Sequence, residues 1–306
     1  MKRHAINCTP IPPIPIKRST ALILVHNQLG YRHPTAWGIG GASNPAFEDN
    51  IAALLSAFRE TSKSKPLQDR PTILHIQHRS VWTDSPLNTS HVGPYGIDGE
   101  SKRGVDFLEC ATPLIGGKPV RTFDEPTQAQ AQAQAQASDL ACVKDAEQNE
   151  YHAETLMTSH EHSIFINTPL LKILEERGIT TVVFAGLTLE RSISTAVRTA
   201  QNLAVVGKWG GHGNRVDTPT SALYTDGEHV YADYEEGQER DPDDMETPFA
   251  VKMPRIILVT DGTRAFGIEG VDAETVHKVH IASLGEFAEM RVTEEVVTAL
   301  GGGGAE

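Results

Sequence analysis

Short, continuous apolar runs alternate with longer helix-periodic stretches along most of the chain, and this alternation narrows the fold more than any other feature. Residues 20–26 (TALILVH) and 180–186 (TTVVFAG) carry almost no polar interruption, which suits strands buried on both faces of a sheet. TILHIQ at 72–77 and IILVTD at 256–261 repeat the pattern, and a last short strand is expected near 288–292. Between them, Ile51, Leu54, Leu55 and Phe58 recur at helical spacing after the Asn44-Pro45 break. TPLLKILEERG reads as a helix ending at Gly178, where a left-handed C-cap is expected, and 191–204 reads as another. DAETVHKVHIASL and VTEEVVTAL complete the set, with Asp272 and Thr293 as the expected caps. Strands that alternate with helices make a parallel sheet with helices on both faces.

Three stretches stand outside the pattern. Residues 125–150 contain five Gln-Ala repeats at 128–137, and a tract of that kind offers no apolar face to a core. Residues 208–254 hold LYTDGEHVYADY, which reads as a hairpin turning at Asp226-Gly227, followed by an acidic run. This insertion follows a helix that leads away from the carboxyl ends of the strands. It is expected to be a lid or interface arm carrying Trp209, Tyr224, Tyr231 and Tyr234. The third stretch is the glycine-rich tail, 301–306. The proline-broken segment 1–19 reads as an extended arm, so that 20–300 is one domain with two insertions.

A net charge of −13 disfavours nucleic acid and anionic membranes as partners. No apolar run approaches the roughly 20 residues of a membrane span. Three cysteines (Cys8, Cys110, Cys142), without metal-type spacing, argue for reduced thiols in a cytoplasmic setting. No cofactor and no metal are expected.

VVFAGLTLERSISTAVRTAQNLA resembles the nucleophile segment of the isochorismatase-like cysteine hydrolases, in which a strand runs through a Gly-Leu-Thr turn into a helix. GYRHPTAWGIGGASNPAFEDNIAALL, HIQHRSVWTDSPL, VTDGTRAF and the final helix-strand-helix segment are similar to other motifs of that family, in the same order. Several ordered motifs are far more specific than one. The resemblance implies a three-layer, Rossmann-like α/β fold with a parallel sheet of about six strands. It also implies a homo-oligomer, dimer or tetramer, acting on a small molecule.

In that family an aspartate ends the first strand, a lysine precedes a Ser-Ala-Phe segment, and a cysteine opens the helix. Here His26 stands at the aspartate position, Ser159 at the lysine position and Ser192 at the cysteine position. Histidine serves as acid or base near neutral pH, whereas a serine hydroxyl needs a neighbouring base to attack. These three are the candidate catalytic residues. As a lone residue, Ser192 reads more readily as a serine of a helix N-terminus than as half of a Ser-His pair.

Trp37, His78, Trp82, Asp84, Phe165 and Thr188 lie in matched segments and are the candidate ligand contacts. His75 is expected to pack into the sheet, and Arg198 to make a structural or subunit salt bridge. Glu190 is a nearby carboxylate of open direction. His160 and His162 share a face only on an extended chain, lack a third ligand, and read as surface residues.

Three functions remain open, in this order: a repurposed small-molecule enzyme using His26 for acid-base chemistry, an inactive binding or scaffold subunit, and a hydrolase using Ser192 with His26. The enzyme reading covers hydrolysis, isomerisation or ring closure of an organic metabolite, with biosynthesis of secondary metabolites as a setting.

Overall fold

The computed structural model describes residue 14 and residues 17–37, 41–66, 69–115, 117–120, 154–205, 208–209, 223–225, 229–232, 250–252 and 254–301. The Gln-Ala tract, most of the 208–254 insertion including Tyr234 and the acidic run, Cys8, Cys142 and nearly all of the terminal segments lie outside these residues.

Six strands form one parallel sheet: β1 (Thr20–Val25), β2 (Thr72–His78), β3 (Glu154–Ser159), β4 (Thr181–Leu187), β5 (Arg255–Arg264) and β6 (Glu289–Arg291). Their order is β6-β5-β4-β1-β2-β3. The chain therefore builds outward from β1 through β2 to β3, then returns to the other side of β1 with β4. Helices α1 (Phe47–Lys63), α2 (Leu170–Glu176), α3 (Ser194–Val205), α4 (Ala273–Leu284) and α5 (Thr293–Gly301) cover the two faces.

Alternation along the buried strands feeds two cores. Ala21, Ile23 and Val25 of β1 pack with Ile173, Val197, Ala200 and Val276 on one face. Leu22 and Leu24 pack with Ile51, Leu55, Phe58 and Val296 on the other. Both faces of β1 are dry, which is why its sequence shows an apolar run rather than an alternating one.

Helix ends follow their local chemistry. Gly178 takes φ +63° after α2, its N–H reaches Glu175 O, and Ile179 N reaches Leu174 O, the paired bonds of a Schellman C-cap. Asp272 Oδ1 accepts Thr275 N–H at 2.9 Å and caps α4 as expected. Thr293 does not cap α5. Its N–H and hydroxyl both donate to Asp261 Oδ1, and Glu295 instead accepts the Val292 N–H. The carboxylate of Asp261 thus ties the helix start to the end of β5.

Two further expectations are corrected. Trp209 is no lid residue: it is 1% exposed in the first core, and its indole N–H donates to Ile179 O just before β4. A buried indole with its N–H satisfied belongs to the domain framework. Arg198 makes no salt bridge among the described residues; it donates to Ser283 Oγ and lies 4.3 Å from the centre of the Phe287 ring. Within the insertion the expected hairpin is present, with Tyr224 opposite Tyr231. A third strand, Ala250–Lys252, extends it into a separate antiparallel sheet. No helix among the described residues is long and apolar enough to cross a membrane.

Candidate functional site

Strand order reverses at β1, and in doubly wound sheets the crevice beyond the carboxyl ends at such a reversal is where ligands bind. The last residue of β3 and residues following β1 and β4 meet there. Gly186 makes the approach of β4 possible: its φ is +128°, and a Cβ at that position would come within 2.1 Å of Val25 O. The chain then passes through Leu187 and Thr188 into a wide π-type turn, Leu189–Ile193, that leads into α3. Ile193 N–H reaches back to Thr188 O at 3.0 Å. Turns of this kind recur at functional sites because they redirect one side chain out of helical register.

The redirected side chain is Ser192. Its Oγ lies 3.1 Å from His26 Nδ1, while His26 Nε2 lies 2.9 Å from Ser159 Oγ. All three residues are buried, with His26 fully inaccessible. The positions that the sequence motifs align with aspartate, lysine and cysteine are therefore in direct contact. His26 adopts φ +51°, uncommon for a residue with a side chain. Its N–H donates to Ile76 O, and its carbonyl accepts the Gln28 N–H.

Burial holds the His26 pKa well below that of a free histidine, and the imidazoles of His78 and His162 push the same way. The ring is therefore neutral at pH 7. A neutral imidazole has one N–H and one bare nitrogen. One serine must accept from the ring, and the other must present its proton to the bare nitrogen. That second hydroxyl has the arrangement from which a base can withdraw a proton.

His78 stands beside this centre, its ring 5.1 Å from that of His26. Gln28 holds the His78 backbone: its side-chain oxygen accepts the His78 main-chain N–H, and its amide donates to the carbonyls of His78 and Val105. Gln28 was not singled out from the sequence, although it lies two residues beyond His26. Burial lowers the His78 pKa to about 4, with His162 and His160 contributing. His162 is exposed and lies parallel to His78, with ring centres 6.3 Å apart. His160 is also exposed, and Arg79 O accepts a hydrogen bond from its Nδ1. Among the described residues no group of three or more His, Cys, Asp or Glu side chains is placed to hold a metal ion.

The other candidates divide. Thr188 is buried and forms the π-turn itself. Trp37 donates its indole N–H to Gly30 O, and its ring centre lies 4.6 Å from that of Tyr31 and 6.3 Å from that of Phe266. Phe165 is half-buried against the first core. Trp82 and Asp84 are exposed on the loop after β2, and no contact among the described residues joins them to His26, Ser159 or Ser192. Glu190 turns its carboxylate inward, with a side chain only 1% exposed and Arg191 Nε at 4.0 Å. Burial raises its pKa, opposed by Arg191 and nearby backbone amides.

Comparison with known proteins agrees with this architecture. The isochorismatase domain matches residues 20–205, more than half of the chain. An isochorismatase-family protein from Chromobacterium violaceum ATCC 12472 is similar in structure, with TM-score 0.56 and 19% identity over 95% of this chain and 98% of that one. An isochorismatase from Pseudomonas putida KT2440 gives 0.51 and 16% over 94% and 93%. A cysteine hydrolase from Pseudomonas syringae pv. phaseolicola 1448A gives 0.51 and 14% over 96% and 99%. At these identities the likeness to solved structures is one of fold. With its domain matched from β1 through α3, the chain belongs to the isochorismatase family.

Proposed function

We propose that this chain is a small-molecule enzyme in which His26 moves the proton and no thiol takes part. One observation carries the reading: both ring nitrogens of a buried, neutral imidazole are occupied by hydroxyls, one from the end of β3 and one from the π-type turn after β4. The serines fix the orientation of the ring, and burial keeps it unprotonated at neutral pH, with one bare nitrogen facing a hydroxyl. A bound organic molecule that displaces one hydroxyl would meet a base already aimed at it. Isomerisation and ring closure use such a transfer in a shaped pocket, and hydrolysis uses it with water as the nucleophile and protonation of the leaving group.

A panel of small esters, amides and vinyl ethers tests the proposal with wild type, His26→Gln and His26→Ala. The expected result is turnover that falls about 10²- to 10⁴-fold in both variants, the range of general acid-base catalysis. Turnover unaffected by either change rejects the role of His26. No turnover by wild type across the panel favours the inactive-subunit reading.

The 3.1 Å contact to Ser192 supports a second reading. Ser192 Oγ attacks a carbonyl carbon, His26 takes the hydroxyl proton and passes it to the leaving group, and water then hydrolyses the acyl-serine. A fluorophosphonate probe that leaves no adduct on Ser192 by mass spectrometry excludes it.

A further inference from the structure

The side-chain alternation of β1 breaks at residue 26. Leu22 and Leu24 face the second core, and a straight strand would send residue 26 to the same side. Its partner Ser192 belongs instead to the turn leading into α3, whose Val197 and Ala200 pack in the first core. The φ of +51° at His26 takes the ring out of the alternation and brings it to both serines. A residue with a side chain keeps such a conformation only where its surroundings over-determine it.

Gln28 supplies that constraint. The main chain leaves the sheet after His26, whose N–H still donates to Ile76 O, and the Gln28 side chain takes over the pairing with the end of β2. Its Oε1 accepts the His78 main-chain N–H at 2.7 Å, and its Nε2 donates to His78 O at 2.8 Å and to Val105 O at 3.1 Å. Gln28 is fully buried, and these bonds engage its amide oxygen and both amide protons. Its own main-chain N–H donates to His26 O at 2.8 Å and closes the turn. On either side, Asn27 O accepts the Leu108 N–H, and Leu29 N–H donates to Asp106 O.

We propose that Gln28 is a positioning residue of this centre: by replacing β1 in the ladder beside His78, it holds residue 26 in the left-handed conformation that aims the imidazole at Ser159 and Ser192. The inference rests on the proton-moving role of His26 argued above.

Diethyl pyrocarbonate, which acylates an accessible neutral imidazole, tests the placement in the full chain, with labelling of His26 and His75 read by peptide mass spectrometry. Gln28→Met keeps the length of the side chain and removes all three of its hydrogen bonds. It is expected to raise labelling of His26 about ten-fold or more, while His75, bonded to Glu154 within β2, stays protected. Gln77→Met removes another buried amide from the same Val105 carbonyl and should leave His26 labelling within about two-fold of wild type. Three results overturn the proposal: His26 equally protected in Gln28→Met and wild type, His26 and His75 exposed together, or His26 equally exposed in Gln77→Met. Should Gln28→Met fail to fold, Gln28→Glu decides. As a carboxylate it retains the acceptor for the His78 N–H and loses both donated bonds, so wild-type protection of His26 there also overturns the proposal. On the substrate panel, Gln28→Met should lower kcat about ten-fold or more with KM within about two-fold, the split expected of misplaced chemistry. Exposure of His26 without turnover by wild type rejects the enzyme reading alone. Turnover lost while His26 stays protected rejects the positioning role alone.

Discussion

Two buried histidines on neighbouring strands meet opposite fates. His75, in the middle of β2, is 1% exposed and faces an ion pair: its Nε2 lies 2.9 Å from Glu154 Oε2. Arg59 grips the same carboxylate at 2.7 and 2.9 Å, and Leu114 N–H adds a third support. His26, beyond the end of β1, is equally buried but is held by two neutral hydroxyls. Burial lowers both histidine pKa values, against the pull of Glu154 in the case of His75. One imidazole is a fixed donor to a carboxylate and belongs to the framework. The other carries no charged partner, so accepting or losing a proton breaks no ion pair. Equal burial does not decide function; the partner's charge does.

The largest effect that separates the two regions should come from Glu154→Ala. It strands Arg59 and His75, and breaking a buried ion pair from one side costs about 3 to 5 kcal/mol, read from urea denaturation. A loss below about 1 kcal/mol would show that the pair is only a surface feature.

Acid provides the next test. Burial alone would raise the Glu154 pKa, but His75 and Arg59 bring it down from 4.5 to about 2. A depressed carboxylate pKa contributes stability that is fully present above 4.5 and lost as pH falls towards 2. The drop over that window is about 3 kcal/mol. Glu154→Gln should flatten the stability profile there, and a profile as steep as that of wild type would assign the drop elsewhere. The histidines act in the same direction at higher pH. Both have lowered values, so their contribution is complete above about 6.5 and declines as acid forces charge onto them.

Smallest is Ser159→Ala, which leaves one neutral ring nitrogen without its partner and should cost about 1 to 2 kcal/mol. A loss as large as that of Glu154→Ala would erase the distinction between clamp and cleft.

The sequence was most legible where single strands are buried on both faces. β1, β2, β4 and β5 each announce themselves by an apolar run, and the 254–300 segment reads correctly through Asp272. β3 does not, because ETLMTS spends its first and last buried positions on Glu154 and Ser159. Its strand character comes from pairing with β2 rather than from composition. Missing β3 also hid the histidine ladder, since His162 approaches His78 only because β3 lies beside β2. His26, Ser159 and Ser192 were found by motif position, not by chemistry, because no local pattern joins residues 133 and 166 apart. Trp209 misled for a related reason: a tryptophan near the start of an insertion carries no mark of the core it packs into.

Because its members come from β3 and from the segments after β1 and β4, on both sides of the β1 reversal, the Ser-His-Ser cluster can exist only once β4 has joined the sheet. A nascent chain released before β4 would hold His26 and Ser159 but not the second hydroxyl. Long sequence separation makes such contacts slow to form and late to mature. The cluster is thereby assembled only after β4 and the turn that follows it are in place, and shorter chains carry an imidazole with a single hydroxyl partner.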